Sequence, residues 1–530
     1  MSRAASATRH GLRVIQAAAA LAVVAVACSG LDDDASEPPS SEPSSSTTSS
    51  ESTTSAPDVE EAAPDTTGES TDSPSSTDVA VDAAPISFAS QVQPILEANC
   101  AGCHTAEGPG AAHLALETAS DATGFDAEYI AAVIDVGYMP PWPAADGDVA
   151  FHGDRRLSDS DRATMATWAE QGGVLDVDPG TPIEPTAQTR TILDRDLVLT
   201  AEPYKGSGAL DVDDYRCQIY DPELGEQQFL TGYGFEADQT EVVHHALLFH
   251  VDAEARAAAE EQDAFDPGIG WSCTALAGFG EPGQSNLIMS WAPGQDPNVL
   301  PDGVGVETAP GDFFVVQIHY HYEPEFEDLP PDVSRLVLDF ADDDQLAAAG
   351  GALAPIDLTL YLAPAEIPCS TDETVPLCDR DAAQLDLLER AGPFAAFVGD
   401  GLLAQCGASV EDFAEMTDGI ATATCEHRAR PGEIISIWAH EHEYGASFKM
   451  TLNPGTPEER VLLDIPRWNF DWQLNYEPIE SIVLDSDDVI HVECTWDRDK
   501  IPDDAEPRYV MWSEGTNDEM CYSQIVTRPV

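Results

Sequence analysis

Apolar residues crowd first into one run, Val14 to Ala27, preceded by Arg3, Arg9 and Arg13 and ending at Cys28. Fourteen residues are short for a bilayer span, and a basic stretch before an apolar one is the layout of an export signal. From Ser29 to Pro85 the chain carries no aromatic residue, no Lys and no Arg. It cannot bury enough apolar surface to offset ordering entropy and reads as a solvated tether, with a reach on the order of 40 Å. Phe88 to Asn99 then reads as a helix. A second helix is predicted to start at the capping sequence Ser158-Asp159-Ser160-Asp161, to carry Met165 and Trp168 on one face, and to stop at Gly172-Gly173. After a Pro/Thr-rich link, Pro179 to Thr191, the period changes to two. Phe313–Tyr322 and Ile434–Glu443 read as strands, and helical spacing persists only in Asp252–Asp263 and Ala382–Arg390. Short strands with Pro, Gly and Asp turns at this density predict β sandwiches or jelly rolls, and the length allows two, with a seam at Ala347–Pro355. No internal repeat is evident.

Charge narrows the function. The chain has 97 acidic and 23 basic residues, a formal net charge of −74 and a pI of about 4.1, and only three of the basic residues are lysines. Such a surface repels a phosphate backbone, which excludes general nucleic-acid binding, and it suits a high-salt setting that screens self-repulsion. The sequence Ala25-Val26-Ala27-Cys28-Ser29-Gly30 resembles a lipoprotein cleavage site with Cys28 as the lipidated residue; the simpler reading is a plain secretory signal cut nearby. The expectation is an exported protein on the periplasmic or outer face of the envelope, touching the membrane only through an N-terminal lipid.

Of eleven cysteines, setting Cys28 aside leaves ten. Two of these stand in Cys100-Ala101-Gly102-Cys103-His104, the spacing of covalent c-type haem: two thiols add to the porphyrin and the adjacent His ligates iron. The surrounding segment looks like a small cytochrome c domain. In Tyr138-Met139-Pro140-Pro141-Trp142, Met139 offers a thioether on a Pro-stiffened loop for the second axial position, whereas Met165 fits packing better. His113 and His152 have no placed role. The other eight cysteines make an even set, up to four disulfides in an exported chain.

Histidine carries the remaining chemistry. In His440-Glu441-His442, strand periodicity places both imidazoles on one face within reach of one ion. His244 and His245 are adjacent, so on a regular strand they point opposite ways; shared ligation requires a bulge or a strand end. His319 lies on the Phe313/Val315/Gln317 face, with His321 on the same side. His250, His427 and His491 receive no role.

The ordered series HHALLF, WAPGQ…LPDGVG, QIHY, H-x-H and Glu519-Met520-Cys521 resembles the copper type II, ascorbate-dependent monooxygenases, the family of peptidylglycine α-hydroxylating monooxygenase and dopamine β-hydroxylase, over about Thr191 to Val530. The resemblance implies two nine-stranded jelly-roll domains holding two copper ions apart. His244, His245 and His319 match the ligands of the electron-storing copper. His440, His442 and Met520 match those of the oxygen-binding copper, where a thioether favours Cu(I). It also implies disulfides Cys217–Cys273 and Cys494–Cys521, leaving Cys369, Cys378, Cys406 and Cys425 in any of three pairings. Tyr215 and Gln317 match residues near the copper sites. Where the peptide-hydroxylating branch has an Arg before H-x-H this chain has Trp438, and that branch's Asn and Tyr after the Met are replaced by Tyr522 and Gln524. Glycine-extended peptides are thereby disfavoured, and Trp438 suggests an apolar or aromatic substrate.

The resulting expectation is a small all-α cytochrome c-like domain followed by two all-β jelly-roll sandwiches. The boundaries are a signal at 1–28, a tether at 29–85, a haem domain at 86–178 and copper domains at 191–350 and 351–530. The expected activity is hydroxylation of a C–H bond in a small organic substrate by O2, with two copper ions and one c-type haem, fed by an upstream electron donor. The alternative is an exported copper-binding or electron-transfer lipoprotein that never oxygenates a substrate.

Overall fold

A computed structural model of the protein describes residues 84–530, except 107, 109, 112, 187–192, 207–212, 274–276, 281–282, 323–328, 372, 414–418 and 503–504. The expected signal, Cys28 and the tether up to residue 83 lie outside the described residues. Among the described residues, no helix is long and apolar enough to cross a membrane.

A π-helical turn, Phe88–Val92, runs into the helix Gln93–Asn99, which ends at Cys100. Helices Phe125–Asp135 and Asp159–Glu170 complete a small helical unit. The last starts as its sequence predicts, with Ser158 Oγ accepting from the Asp161 amide at 3.1 Å. Gly172 and Gly173, at φ 89° and 60°, turn the chain out of the helix. Phe88, Leu96, Ile130, Met165 and Trp168 form the core, with the Phe88 and Trp168 rings 5.6 Å apart. Met165 is 1% exposed, as a packing residue should be.

The described residues from Leu197 to Phe340 form ten strands: β1 (Leu197–Thr200), β2 (Asp213–Tyr220), β3 (Gln228–Glu236), β4 (Val243–Val251), β5 (Trp271–Ser272), β6 (Ser285–Trp291), β7 (Asn298–Val299), β8 (Val306–Thr308), β9 (Phe313–His321) and β10 (Arg335–Phe340). They make two five-stranded sheets, β5-β2-β9-β4-β6 and β1-β10-β3-β7 with β8 beside β3. Leu230, Tyr233 and Leu336 of one sheet meet Leu248, Phe314 and Ile318 of the other in one core. The opposite face of β9 is covered too, by a cluster containing Phe313, Val315, Cys217 and Ala259. Burial on both faces explains why Phe313–His321 is nearly continuous in apolar residues rather than alternating. The predicted helix at 252–263 is observed as a 3-10 turn, Ala253–Ala255, and a helix, Arg256–Phe265.

The second β region contains β11 (Asp357–Ala363), β12 (Glu366–Ile367), β13 (Ile420–Arg428), β14 (Gly432–His440), β15 (Gly445–Leu452), β16 (Arg460–Ile465), β17 (Asn475–Tyr476), β18 (Val483–Leu484), β19 (Val489–Asp497), β20 (Val510–Met511) and β21 (Cys521–Arg528). Its sheets are β11-β21-β14-β17 with β18 beside β14, β13-β19-β15-β16, and the pair β12-β20. Ile437 and Ile525 pack with Phe448, Val492 and Trp496 in a shared core. Trp142, Ala144, Val149 and Phe151, from the chain that follows Met139, belong to this same core. The helix predicted at 382–390 spans Arg380–Arg390. A second helix, Gly392–Cys406, has no amphipathic pattern in sequence because it is apolar nearly throughout and interrupted by glycines.

Among the described residues four disulfides close: Cys217–Cys273, Cys369–Cys378, Cys406–Cys425 and Cys494–Cys521. Cys217–Cys273 and Cys494–Cys521 are the two pairings that the resemblance implies, and Cys369–Cys378 with Cys406–Cys425 is one of the three arrangements left open for the other four cysteines.

Candidate metal centre

β4 carries His244 and His245, and β9 carries His319 beside them. The register between β4 and β9 shifts between Val243 and His245. That bulge is the device adjacent histidines need, since it cancels the alternation that would send the two rings to opposite faces. The three rings converge through Nδ1. His244 Nδ1 lies 3.1 Å from His245 Nδ1, and His319 Nδ1 lies 3.4 Å from the same atom. Imidazole nitrogens about 2.0–2.1 Å from one ion, at tetrahedral angles, stand roughly 3.3 Å from each other. The three ligand atoms are thus spaced as they would be around a single metal.

Asp213 at the start of β2 orients this triad. Its Oδ1 accepts from His319 Nε2 and from His321 Nδ1, each at 2.9 Å. Burial alone would raise the Asp213 carboxyl, but the two histidines hold it well below the usual range. Fixing Nε2–H of His319 leaves Nδ1 as its lone pair, the outer partner a metal-binding imidazole needs. Burial, then neighbouring imidazoles, hold His244 and His245 far below their ordinary pKa, so both stand neutral and able to ligate.

The second group is built on β14 and β21. His440 is the last residue of β14 and pairs with Tyr522. Gln473 Oε1 accepts from His440 Nδ1 at 2.5 Å, and the Asp518 carbonyl accepts from His442 Nδ1 at 3.1 Å. Both bonds leave Nε2 for a ligand, and His442 Nε2 is buried without a hydrogen-bond partner. The His442 pKa is pushed down to about 4, by burial first. Met520 is 4% exposed and directly precedes β21. A single carboxylate ties it to His442: Glu519 Oε2 accepts from the amides of His442 at 2.9 Å and Met520 at 3.1 Å. The Cys494–Cys521 disulfide clamps the next residue to β19. The thioether and two imidazoles therefore come from backbone positions locked to each other.

The expectation of two centres held apart needs correction. The His245 and His440 rings are 5.2 Å apart, so the two groups face each other across the junction of the sandwiches. The junction is closed by contacts that begin in the first group: Asp213 Oδ2 accepts from the Thr516 amide at 2.8 Å and from its hydroxyl at 2.9 Å. Phe470 stacks on His244 with ring centroids 4.0 Å apart. The result is one cluster of five imidazoles.

In the helical unit, Cys100 and Cys103 are the two free thiols among the described residues. The Leu114 carbonyl accepts from His104 Nδ1 at 2.6 Å, which leaves Nε2 for an iron. Two thiols and an oriented imidazole are the groups a covalent haem would use, but none of the three lines the cavity that Met139 lines. Met139 lines a cavity of about 450 Å³ shared with the second sandwich, along with Arg156, Arg162, Arg467, Trp468 and Trp472. The indole N–H groups of Trp142 and Trp472, both lining it, are buried without partners. Three arginines around one space stand out in a chain of net charge −74.

The residues assigned to the substrate side are mostly walls. Trp438 is 2% exposed and stacks on His440, with centroids 5.3 Å apart and its Nε1–H donating to the Gln473 carbonyl. Tyr215 stacks on His319 at 4.2 Å, and its hydroxyl donates to the Glu514 carbonyl. Gln317 is buried beside Cys273. Tyr522 sets its edge against Trp438 and His440. Asp213, Phe470 and Gln473 escaped sequence reasoning. Asp213 lies 106 residues from His319 and carries no local signal beyond an acid opening an apolar strand.

No family model matches the chain, and no curated protein matches it. Among solved structures the chain is similar to an allantoicase, at 12% identity over 66% of this chain and 85% of that one, with a TM-score of 0.15. It is similar to PNGF-II at 8% identity, over 63% and 66% of the two chains, with a TM-score of 0.20. An oxalate decarboxylase from Bacillus subtilis matches at 10% identity, over 60% and 69%, with a TM-score of 0.10. Likeness at these scores says nothing about the chemistry of this chain.

Proposed function

We propose that the chain is an exported copper-dependent monooxygenase. In this reading two jelly-roll domains like those of the ascorbate-dependent copper family are fused to a cytochrome c-like electron donor. The observation that carries the reading is the convergence of three Nδ1 atoms, from His244, His245 and His319, at spacings of 3.1 and 3.4 Å. The opposing His440, His442 and Met520 add imidazoles and a soft sulfur, the donor set that suits copper in both oxidation states.

The copper ions, when bound, supply the reduction of O2 that C–H hydroxylation needs, and a c-type haem at Cys100, Cys103, His104 and Met139 supplies electrons singly. The side chains prepare that chemistry. Asp213 keeps His319 in the Nδ1-ligating tautomer. Gln473 and the Asp518 carbonyl do the reverse for His440 and His442, freeing Nε2. Phe470 and Trp438 wall the cluster with apolar rings, which keeps water from the imidazoles they cover. The substrate is a small organic molecule bearing an unactivated C–H bond.

The test is metal analysis of the purified full chain followed by a substrate screen under ¹⁸O2. Copper near two and iron near one per chain, with label in one product, supports the reading; copper-free protein overturns it. The close approach of His245 to His440, with Phe470 over His244, favours a second reading, a copper electron carrier without oxygenase activity. Hydroxylation by the wild-type chain separates the two, and in the first reading Met520→His should retain copper while abolishing it.

A further inference from the structure

His250 stands at the far end of β4 from His244 and His245, roughly 17 Å along the strand from His245. It is 5% exposed, and its Nε2 is buried without a hydrogen-bond partner. That atom lies 3.4 Å from Oδ2 of Asp312, the residue before β9, itself 7% exposed. Asp252, the residue after β4, completes a group in which one imidazole nitrogen and two carboxylate oxygens all lie within 4.8 Å of one another. The local chain delivers the two carboxylates by an exchange. Asp252 occupies the N-cap of the 3-10 turn Ala253–Ala255, where an Asp ordinarily accepts from an amide of the first turn, yet its side chain makes no capping bond. The Ala253 amide donates instead to Asp312 Oδ1, at 3.0 Å. Asp312 Oδ2 accepts from the Ala309 amide at 2.8 Å and keeps a second lone pair for the histidine side. The neighbouring cation is engaged elsewhere: Arg256 pairs with Asp221 at 2.8 Å and donates to the Gly311 carbonyl at 3.1 Å.

A nitrogen and a carboxylate oxygen that share one tetrahedral zinc ion stand roughly 3.4 Å apart. The 3.4 Å between His250 Nε2 and Asp312 Oδ2 is that spacing, and it is longer than the N–H···O hydrogen bond of about 2.7–3.2 Å. We propose that His250, Asp252 and Asp312 form a further metal site, one that takes a zinc-type divalent cation and ties the end of β4 to the start of β9. Two carboxylates offset the charge of the ion and one imidazole supplies nitrogen, a mixed set that suits zinc better than the all-oxygen shells of calcium and magnesium. Three protein ligands leave one tetrahedral position, which water takes. β4 and β9 are hydrogen-bonded neighbours, with His245 opposite His319 near one end and Val251 opposite Phe313 at the other. The ion therefore braces, from its far end, the strand pair that carries the first histidine group. The site depends on neither copper nor haem.

The experiment loads the full chain with copper, removes the excess, and titrates zinc against a fluorescent zinc chelator. The expected result is one zinc equivalent bound without release of copper, with X-ray absorption fine structure showing one imidazole per zinc. His250→Gln and Asp252→Ala should each weaken zinc binding by more than about 100-fold, past the roughly 10–100-fold that loss of an outer partner costs, and leave copper content unchanged. Asp252 is partly exposed and makes no capping bond, so Asp252→Ala should fold even where the variant at buried His250 does not. Zinc should also raise the melting temperature of the wild-type chain and not that of Asp252→Ala. In a chain that takes up no copper, Asp252→Ala should still bind one zinc equivalent fewer than wild type, so the site and the proposed function fail separately. No zinc uptake, or equal affinity in wild type and Asp252→Ala, overturns the site. So does a shell of three imidazoles in the copper-loaded chain, which would place the zinc in the histidine cluster.

Discussion

At the scale of single residues, two carboxylates hold the ligand groups. Glu519 accepts from four buried N–H donors: the amides of His442, Tyr444 and Met520 and the indole of Trp496, at 2.7–3.1 Å. Burial raises its pKa to about 8 against those four bonds. Glu519→Ala strands all four donors, each worth about 1–3 kcal/mol when left unsatisfied, so urea denaturation of the metal-free chain should show a loss of several kcal/mol. Glu519→Gln, which keeps an acceptor, should lose less. Asp213 plays the corresponding part in the first group. Asp213→Ala removes the acceptor that fixes His319, and copper affinity should weaken by roughly 10–100-fold in a chelator competition. Unchanged affinity would mean that the His319 ring is held by its stacking on Tyr215 alone.

Among elements, the informative one is β4. Its bulge turns two adjacent histidines toward one point. The sequence shows that such a bulge is needed if both ligate, but not that it exists, because a bulge is set by the partner strand's register. The strands of β9 and β14 were legible from their apolar content to within a few residues. The helix Gly392–Cys406 was not, since uniform hydrophobicity carries no period. Asp213, Phe470 and Gln473 were illegible for a different reason: each reaches its histidine across a long stretch of sequence, and nothing local marks them. The Cys494–Cys521 bridge closes a 27-residue separation beside Met520. Replacing both cysteines by serine should cost about 2–5 kcal/mol in calorimetry or denaturant titration. Copper retention should fall more at His440 and His442 than in the first group, a difference EPR can resolve.

For the whole molecule, charge decides the conditions of stability. With a formal net charge of −74, like-charge repulsion opposes compaction wherever it is unscreened. Raising NaCl from about 0.1 M to about 1 M shortens the Debye length from roughly 10 Å to roughly 3 Å, and the melting temperature should rise with it. A flat response would show that ion pairs and local compensation already dominate. The arrangement of the three parts could not be read in sequence. Composition separated a helical unit from β regions, but only the structure shows residues 142–151 entering the second core and the two histidine groups meeting.

Asp213 gives that meeting a thermodynamic consequence. One of its oxygens serves His319, while the other grips Thr516 in the opposite sandwich. Parting the lobes would strip this anion of half its partners and slacken its hold on a ligand. Loading the first group with metal and keeping the lobes shut must then favour each other reciprocally. A chelator should loosen the bite between lobes, visible as a larger radius of gyration in solution scattering, and copper should reverse it.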